Sequence, residues 1–422
     1  MFEEERDILF FYIENNIDGV LKDSVGFIRY PFTDPGSVYD GNVWDWDTYW
    51  CTYGLLPLRN SIKGGRIADK ITEHCKGNVL NFFDWQLDDG YIPMMIENGE
   101  WPEPYLNIQH KKGYLMNMHK PFLCRQICAI SKEIGDYSWV REYLSSIDKY
   151  FDCYYNNYFD NNCKLFVWRD DIMIGMDNDP ASFGRPKSST ANIFLNSFMV
   201  TELESAAVIY ENFGKKDKAS EFRNKEEALK EAIHSECFDK RDKFFYSADV
   251  DICTRKYDWF HQGLGVFWKS IPIRIAVWSG FLPMSENFAT EEEANALRIH
   301  YHDEEAFTSE YGICTLAKNE KMFNLEATNN PSNWLGPIWL VANYCVFKGM
   351  LNYGFTDEAT DMCSKSIKLL ADDIRKTGSM HEYYDPFTGE PVMNGGFINW
   401  NILALNMIEE LRSYIEDKRR EG

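Results

Sequence analysis

The sequence has little positive charge, no CxxC motif and no long uninterrupted apolar run. Its 44 lysines and arginines face 66 aspartates and glutamates, so the formal net charge is −22 at pH 7. Because nucleic acids and anionic membranes are polyanions, this balance argues against both as partners. No stretch reaches the roughly 18 apolar residues that a membrane-spanning helix needs, and the acidic start "MFEEERDILFFYIENN" is unlike a signal or transit peptide.

Cysteines are present, but they are not arranged for disulfides or a metal site. The eleven cysteines are scattered, and the nearest two, Cys124 and Cys128, have the i, i+4 spacing of a helix. No metal-binding pattern of histidines surrounds them. We therefore expect buried thiols in a reducing compartment, and hence a cytoplasmic protein.

Low-complexity linkers and charge blocks are also missing, so a single domain over residues 1–422 is predicted. Helical periodicity dominates, as in 137–159, and residues 196–238 predict two helices that break near Gly214. Both ends of the chain look helical and are expected to pack together, whereas strand signals are short. About a dozen helices fit this length, and an all-α toroid of helical hairpins is the simplest closed arrangement.

Aromatic residues, in contrast, are abundant: they make up 16% of the chain, including 13 tryptophans. The stretch "YDGNVWDWDTYW" (39–50) interleaves rings with carboxylates. A sugar has an apolar C–H face that a ring can cover and hydroxyls that a carboxylate can bind. Candidate sugar contacts here are Trp44, Trp46, Asp47 and Tyr49. The alternative is a buried aromatic cluster whose aspartates cap a helix.

Two further segments offer acids in loops. Asp177 and Asp179 lie in "DDIMIGMDNDPASFGRP", where partial burial behind an apolar run would raise the pKa of a carboxyl group, as a general acid requires. The alternative is an Asx-turn. Glu382 lies between His381 and two tyrosines in "MHEYYDPFTGE", and a tyrosine can hold a neighbouring carboxylate ionised. The alternative is an ordinary surface glutamate.

A fourth segment presents two rings, Trp334 and Trp339, around the helix-breaking pair Gly336–Pro337. As an alternative, both rings could simply pack in the core. All four segments precede or join predicted helices, and such loops gather at one end of a helical toroid. A pair of acids among several tryptophans is what glycoside hydrolysis needs.

Five segments, in order, resemble the trehalase-like (α/α)6-barrel glycosidases, most closely glycoside hydrolase family 63 with its bacterial mannosylglycerate and glucosylglycerate hydrolases. The resemblance runs from about residue 25 to 412. It is carried by "VWDWDTYW", "NFFDWQLDDGYIP", "GMDNDP", "NWLGPIWLVANY" and "HEYYDPFTG".

The resemblance implies an (α/α)6 toroid with a loop-built active site at one end. It implies an inverting exo-glycosidase that releases an α-linked glucose- or mannose-type unit from a small carbohydrate substrate, without a metal or other cofactor. Asp177 would be the general acid and Glu382 the general base. The sugar contacts would be Trp44, Trp46, Asp47, Trp334 and Trp339.

The chain departs from the family pattern at several positions. Asp179 stands where a serine is usual, Leu335 replaces an arginine, and Lys120 lies close to where a glutamine is usual. We expect Lys120 in the pocket, either on sugar hydroxyls beside Asp47 or on a carboxylate of the leaving group. The alternative is a surface lysine.

Other functions remain as alternatives. Within hydrolases, a trehalase or a glucosyl- or mannosylglycerate hydrolase is the second choice of substrate. Sugar epimerases and isomerases also use such barrels, but they rely on histidine pairs, whereas only His119 and His381 lie near the proposed site segments. A non-catalytic carbohydrate-binding relative would have no need for both Asp177 and Glu382.

Overall fold

The computed structural model describes residues 2–39, 41–99, 116–252, 268–326 and 332–421. It is 54% helical, so the prediction of a mainly α-helical fold is confirmed. These ranges contain twelve α-helices: α1 (Glu3–Val20), α2 (Asp45–Leu55), α3 (Ala68–Asp84), α4 (Leu123–Ile134), α5 (Leu144–Asn157), α6 (Ile193–Asn212), α7 (Lys216–Glu236), α8 (Leu282–Ser285), α9 (Glu291–His302), α10 (Leu340–Asn352), α11 (Thr356–Thr377) and α12 (Leu403–Glu421).

The strands in the described ranges are only two or three residues long and pair antiparallel. They are β1 (Leu21–Lys22), β2 (Phe32–Thr33), β3 (Val43–Trp44), β4 (Met95–Ile96), β5 (Phe159–Asp160), β6 (Leu165–Phe166), β7 (Thr190–Ala191), β8 (Phe238–Asp239), β9 (Phe244–Phe245), β10 (Ser247–Asp249), β11 (Ile271–Ile273), β12 (Tyr383–Tyr384) and β13 (Pro391–Met393). Most form two-stranded ribbons, and β11, β10 and β7 form one three-stranded sheet. They stiffen loops between helices rather than build a layer.

Six of the helices contact one another in cyclic order. α2 contacts α4, α4 contacts α6, α6 contacts α8, α8 contacts α10, α10 contacts α12, and α12 returns to α2. The intervening helices pack on them, as α7 does on α6 and α11 on α10. One main hydrophobic cluster runs through the whole assembly, from Leu9 to Leu411.

Burial separates the two kinds of helix, as their sequences require. α6 is buried on nearly all sides, whereas α7 buries a stripe at helical spacing that includes Ala219, Phe222, Leu229 and Ile233. By length and composition α6 could cross a membrane, but 78% of its most apolar window is buried inside the protein. It therefore has the burial of a core helix.

Several local predictions are confirmed. The break after α6 falls at Gly214, which has a positive φ of 71°, and the ends of the chain meet where Arg6 Nε donates to Glu409 Oε1 at 3.3 Å. The helix predicted over 137–159 instead starts with a 3-10 turn, Ser138–Tyr143, before α5. The ten cysteines of the described ranges are unpaired; the eleventh, Cys253, lies outside them.

Two asparagines of helix α3 form hydrogen bonds with the segment that precedes the stretch 39–50. Asn78 exchanges hydrogen bonds with Thr33, and Asn81 bonds both the N–H and the carbonyl of Tyr30. The contact is close because Gly77 has no side chain. A Cβ at this position would lie 1.8 Å from the Pro31 carbonyl oxygen.

We expect Gly77→Ala to lower the free energy of unfolding by at least ~1–3 kcal/mol, because the added methyl group overlaps backbone that cannot move aside without breaking the asparagine contacts. Gly19→Ala is the matched control, since a Cβ there has no neighbour within 4 Å. It should be neutral or stabilising by up to ~1 kcal/mol through helix propensity. Urea unfolding of both variants measures the difference, and equal stabilities would contradict the close-packing argument.

Candidate active site

Aromatic rings from the starts of several helices meet at one place. The Trp46 ring, at the start of α2, lies 5.5 Å from that of Phe194, 5.8 Å from that of Trp334 and 5.2 Å from that of Trp400. These residues precede or begin α6, α10 and α12. The structure thus brings together the first and fourth sequence segments, which are nearly 300 residues apart in the chain. We call the rings of Trp46, Phe194, Trp334 and Trp400 the aromatic floor.

Trp339 supports the aromatic floor from within. It stacks on Trp334 at 3.9 Å and on Tyr383 at 4.9 Å, and it is 1% exposed. Its indole N–H donates to the carbonyl of Asn333. This arrangement agrees with the alternative of core packing for Trp339, and Trp334 and Trp46 are also buried, at 2% and 4% exposure.

Glu382 lies beside this floor, just before β12, and it is not a surface residue. Its side chain is buried, and each carboxylate oxygen accepts a hydrogen bond. Tyr39 Oη donates to Oε1 at 2.7 Å, and Asn394 Nδ2 donates to Oε2. Burial raises the pKa of the Glu382 carboxyl to about 7, although both hydrogen bonds favour the ionised form.

Asp177 lies on a half-buried loop and interacts with Glu382 through its charge. Its negative charge raises the pKa of Glu382 further, and also that of Tyr39. The two predicted acids are therefore neighbours in an electrostatic sense. A second link is Gly175, at φ 95°, where a Cβ would lie 3.3 Å from Trp46 Cε2, so this loop runs directly against the aromatic floor.

Asp179, the other aspartate of this loop, is held by hydrogen bonds within its surroundings. Asp179 is 2% exposed and accepts hydrogen bonds from Ala181 N and from Asn192 Nδ2 at 2.8 Å. Asn192 in turn caps α6. Asn178 ties the loop to the floor, because its Oδ1 accepts from Trp334 N at 2.6 Å. The neighbours of Asp177 therefore fix its place.

Asp47 faces the same region from α2. It is 8% exposed, and Asn399 Nδ2 donates to its Oδ1 at 2.6 Å. Burial raises the pKa of Asp47 well above its usual range, the positive charge of Lys120 opposes this rise, and the negative charges of Asp45 and Glu382 add to it. Asp47 therefore places a third buried carboxyl group near Glu382.

Lys120 is buried, which rules out the surface alternative, but its partner differs from the one expected. Its ammonium donates to Asp45 Oδ1 and its backbone N–H to Asp45 Oδ2, both at 2.7 Å. Both side chains are almost fully buried, at 3% and 1% exposure. The cation thus neutralises the aspartate that opens α2, and its ammonium is bonded to Asp45 rather than Asp47.

The role of Tyr49 as a sugar contact stays a prediction, and its packing does not favour it. Tyr49 is one helical turn further along α2 than Trp46, stacks on Phe122 at 4.8 Å, and lies under the Arg125 guanidinium at 5.1 Å. Its ring therefore belongs to the interior of the helix assembly. Trp44, in β3, is half-buried, packs edge-on to Tyr39 at 6.2 Å, and touches a group of methionines.

Sequence reasoning missed Tyr39, Asn394, Asn399 and Trp400. Tyr39 is held in place because Asp34 accepts from the N–H groups of Gly36 and Gly41, both at 2.6 Å, on either side of it. A signal was present, since Tyr39 opens the stretch "YDGNVWDWDTYW" and the other three lie in "MNGGFINWN", a turn followed by a tryptophan. Local pattern did not reveal that these residues reach the predicted acids.

Within the described ranges, no group of three or more histidine, cysteine, aspartate or glutamate residues could hold a metal ion. The arrangement instead offers two interacting carboxyl groups, a nearby third acid and aromatic surface. This is the chemistry of acid–base attack on a glycosidic bond.

Comparisons with known proteins agree with this chemistry. Residues 42–400 match the model of the mannosylglycerate hydrolase MGH1-like glycoside hydrolase domain. A probable mannosyl-oligosaccharide glucosidase from Schizosaccharomyces pombe is 24% identical over 65% of this chain and 32% of its own length. Mannosylglycerate hydrolase MGH1 from Selaginella moellendorffii is 32% identical over 30% of this chain and 23% of its own. The chain thus spans about a third or less of these curated relatives.

Solved structures share the fold. A GH63 mannosylglycerate hydrolase from Thermus thermophilus, solved with glucose, superposes with a TM-score of 0.67 at 17% identity, covering 93% of this chain and 98% of its own. Neutral trehalase from Saccharomyces cerevisiae gives 0.57 at 14% identity over 96% and 81%. The resemblance predicted from the five sequence segments is confirmed, and the chain belongs to the mannosylglycerate hydrolase MGH1-like glycoside hydrolase family.

Proposed function

We propose that the protein is an inverting exo-glycosidase that hydrolyses an α-linked glucose- or mannose-type unit of a small glycoside or oligosaccharide. One observation carries this proposal: Glu382 is buried, accepts one hydrogen bond on each oxygen, and feels the charge of Asp177. The names of the relatives, which refer to glucosidases and mannosylglycerate hydrolases, support this substrate class.

We also propose that the twelve helices form an (α/α)6 toroid with the site at one end. The cyclic contacts of α2, α4, α6, α8, α10 and α12 support the ring. The aromatic floor supports the position of the site, because its rings come from the N-terminal ends of these helices. A cytoplasmic location is proposed in turn, and the unpaired thiols support it.

In the proposed reaction, Asp177 gives its proton to the glycosidic oxygen as the bond from that oxygen to the anomeric carbon breaks. A water molecule attacks the anomeric carbon from the opposite face and loses a proton to Glu382. Tyr39 and Asn394 act through Glu382: their donors orient the carboxylate and favour its ionised form, so that a buried group can still accept a proton. Trp46 and Asp47 would contact the sugar.

Alternative substrates are a trehalose-type disaccharide and a glucosyl- or mannosylglycerate. The ion pair of Lys120 with Asp45 does not favour Lys120 as the reader of a glycerate carboxylate, since its charge is already compensated. An epimerase or isomerase has less support. His119 is fully buried, and that burial lowers its pKa to about 4. His381 Nδ1 is hydrogen-bonded to Asp373 at 2.8 Å. The two histidines therefore do not form a proton-transfer pair.

Asp177→Asn and Glu382→Gln should each lower kcat by at least ~10²-fold, because each removes one proton-transfer group from the reaction. Sugar release from an α-glucosyl and an α-mannosyl substrate panel measures this. Asp179→Asn is the matched control on the same loop, and it should lose far less activity because Asp179 only accepts loop hydrogen bonds. Near-normal turnover of either main variant would refute that residue's role.

The fall of activity on the acidic side of the pH profile should reflect the protonation of Glu382. The base must be ionised, so kcat/KM should fall below about pH 7, the pKa of the buried carboxyl group. Tyr39→Phe removes a donor that favours the ionised form, which raises the pKa and should move this limb upward by ~1–2 pH units, the equivalent of one hydrogen bond to a charged group. Activity should largely return at higher pH.

Tyr353→Phe serves as the control for this experiment, because Tyr353 Oη bonds the Ala289 carbonyl and does not contact the site. A pH-independent loss of activity in Tyr39→Phe would mean that Tyr39 has a purely structural role.

The first-formed product should carry the inverted configuration. Inversion requires room for a water molecule between the base and the sugar, so an α-linked substrate should release the β-anomer. Proton NMR in the first minutes of reaction distinguishes the anomers before they equilibrate. Early α-anomer would establish retention and exclude Glu382 as a base that acts through water.

A further inference from the structure

A buried aspartate of α11, Asp373, holds the chain on both sides of Glu382. Its Oδ2 accepts a hydrogen bond from Tyr384 Oη at 2.8 Å and lies 2.8 Å from His381 Nδ1. The backbone N–H of His381 donates to the same Tyr384 Oη at 2.9 Å, which closes a ring of three contacts. His381 directly precedes Glu382 in the chain and Tyr384 follows it by two positions. We call Asp373, His381 and Tyr384 the anchor.

The anchor also borders the turn that carries Asn394, the second hydrogen-bond donor to Glu382. The backbone N–H of Glu382 donates to the Met393 carbonyl at 3.1 Å, so Asn394 leaves β13 directly beside the carboxylate to which it donates. At the next position, Gly395, a Cβ would lie only 3.1 Å from His381 Nε2. The imidazole therefore packs against this turn, and the place of Asn394 depends on the place of the ring.

Attachment of a short ribbon to a helix does not by itself require these groups. Apolar packing can provide it without a buried carboxylate, which is costly unless it is fully hydrogen-bonded. The Asp373 side chain is 1% exposed, and its second oxygen accepts from Thr377 Oγ1 at 2.9 Å. Hydrogen bonds are directional, so a buried polar network with bonds on both oxygens specifies one arrangement of the ribbon.

We propose that Asp373, acting through His381 and Tyr384, is a positioning residue that keeps the Glu382 carboxylate aligned with its donor Asn394. The inference rests on the proposed function, in which Glu382 accepts a proton from the attacking water. Asp373 then affects the reaction through the orientation and protonation of Glu382 and not through a sugar contact. Its loss should therefore change kcat and the pH dependence of activity rather than KM.

The direction of the pH effect follows from the groups that face Glu382. Among them, Asn394 is the one whose turn the anchor borders. Its hydrogen bond favours the ionised carboxylate, so a misplaced Asn394 raises the pKa of Glu382 and moves the loss of activity to higher pH. The charged, titratable and hydrogen-bonding groups that act on or respond to Glu382 are Asp177, Asp47, Tyr39, Tyr383 and Asn394.

Profiles of kcat/KM against pH test the anchor, read as the acidic midpoint, the pH at which activity falls to half on the acidic side. Asn394→Ala is the reference and should raise this midpoint by ~1–2 pH units, because it removes a hydrogen bond to a charged group. Asp373→Ala should raise it by ~0.5–1 unit. Below the midpoint this lowers kcat by ~3- to 10-fold with KM nearly unchanged, and activity should largely return at higher pH.

A double variant shows whether Asp373 acts through Asn394. Combining Asp373→Ala with Asn394→Ala should move the midpoint no further than Asn394→Ala alone, since two residues that act through one contact are not additive. Asp372→Ala is the matched control on the same helix, because its side chain is 71% exposed and pairs with Arg375. It should leave the pH profile unchanged.

Three results would overturn the anchor. Asp373→Ala could keep the wild-type midpoint, it could lose activity equally at every pH, as a merely structural role predicts, or its shift could add in full to that of Asn394→Ala. If urea unfolding shows that Asp373→Ala does not fold, Tyr384→Phe replaces it, since this change removes only the hydroxyl group that joins Asp373 to the His381 N–H. A smaller upward shift of the midpoint then supports the anchor, and an unchanged midpoint refutes it.

Failure of the proposed function would be seen differently. In that case no glycoside in the substrate panel releases sugar at any pH. A carbon-13 NMR titration of the Glu382 carboxyl group, assigned with Glu382→Gln, then decides the anchor on its own. A titration midpoint that rises in both Asn394→Ala and Asp373→Ala supports it, and a wild-type midpoint in Asp373→Ala refutes it.

Discussion

The candidate site is built around one group: the carboxyl group of Glu382 is buried and accepts hydrogen bonds that favour its ionised form. Burial raises its pKa, and the charge of Asp177 adds to this effect. The hydrogen bonds from Tyr39 and Asn394 oppose it. The Tyr39 donor in turn depends on its surroundings, since Asp34 shapes the turn of Tyr39 and α3 holds the strand before it. Contacts far from Glu382 in the chain therefore help to place one of its two hydrogen-bond donors.

A second balance operates at the start of α2. Asp45 and Asp47 are both buried there, two residues apart, and their charges repel. Lys120 reduces this repulsion by forming an ion pair with Asp45. The pair has a net charge near zero inside the protein. Asp47 is left with a raised pKa and with Asn399 as partner. Although the chain as a whole is strongly acidic, Lys120 thus neutralises a carboxylate at a buried position, where an unpaired charge would destabilise the fold.

The comparisons identify the family and the fold, whereas the geometry concerns individual side chains. The family model covers residues 42–400 and establishes the chemistry class, while structural neighbours under 20% identity establish the fold. Neither specifies the leaving group.

Sequence by itself determined the elements whose signals are local. Periodicity located the helices, Gly214 marked a break, and five ordered segments identified the family and predicted Asp177 and Glu382 as its acid and base. Tertiary structure decided what depends on packing between distant segments. Tyr39 reaches Glu382 across 343 positions and Lys120 reaches Asp45 across 75, whereas Tyr49 turns into the interior although it shares a motif with Trp46. Spacing along a helix fixes which face a residue lies on, but only the packing of the helices against one another decides what that face meets.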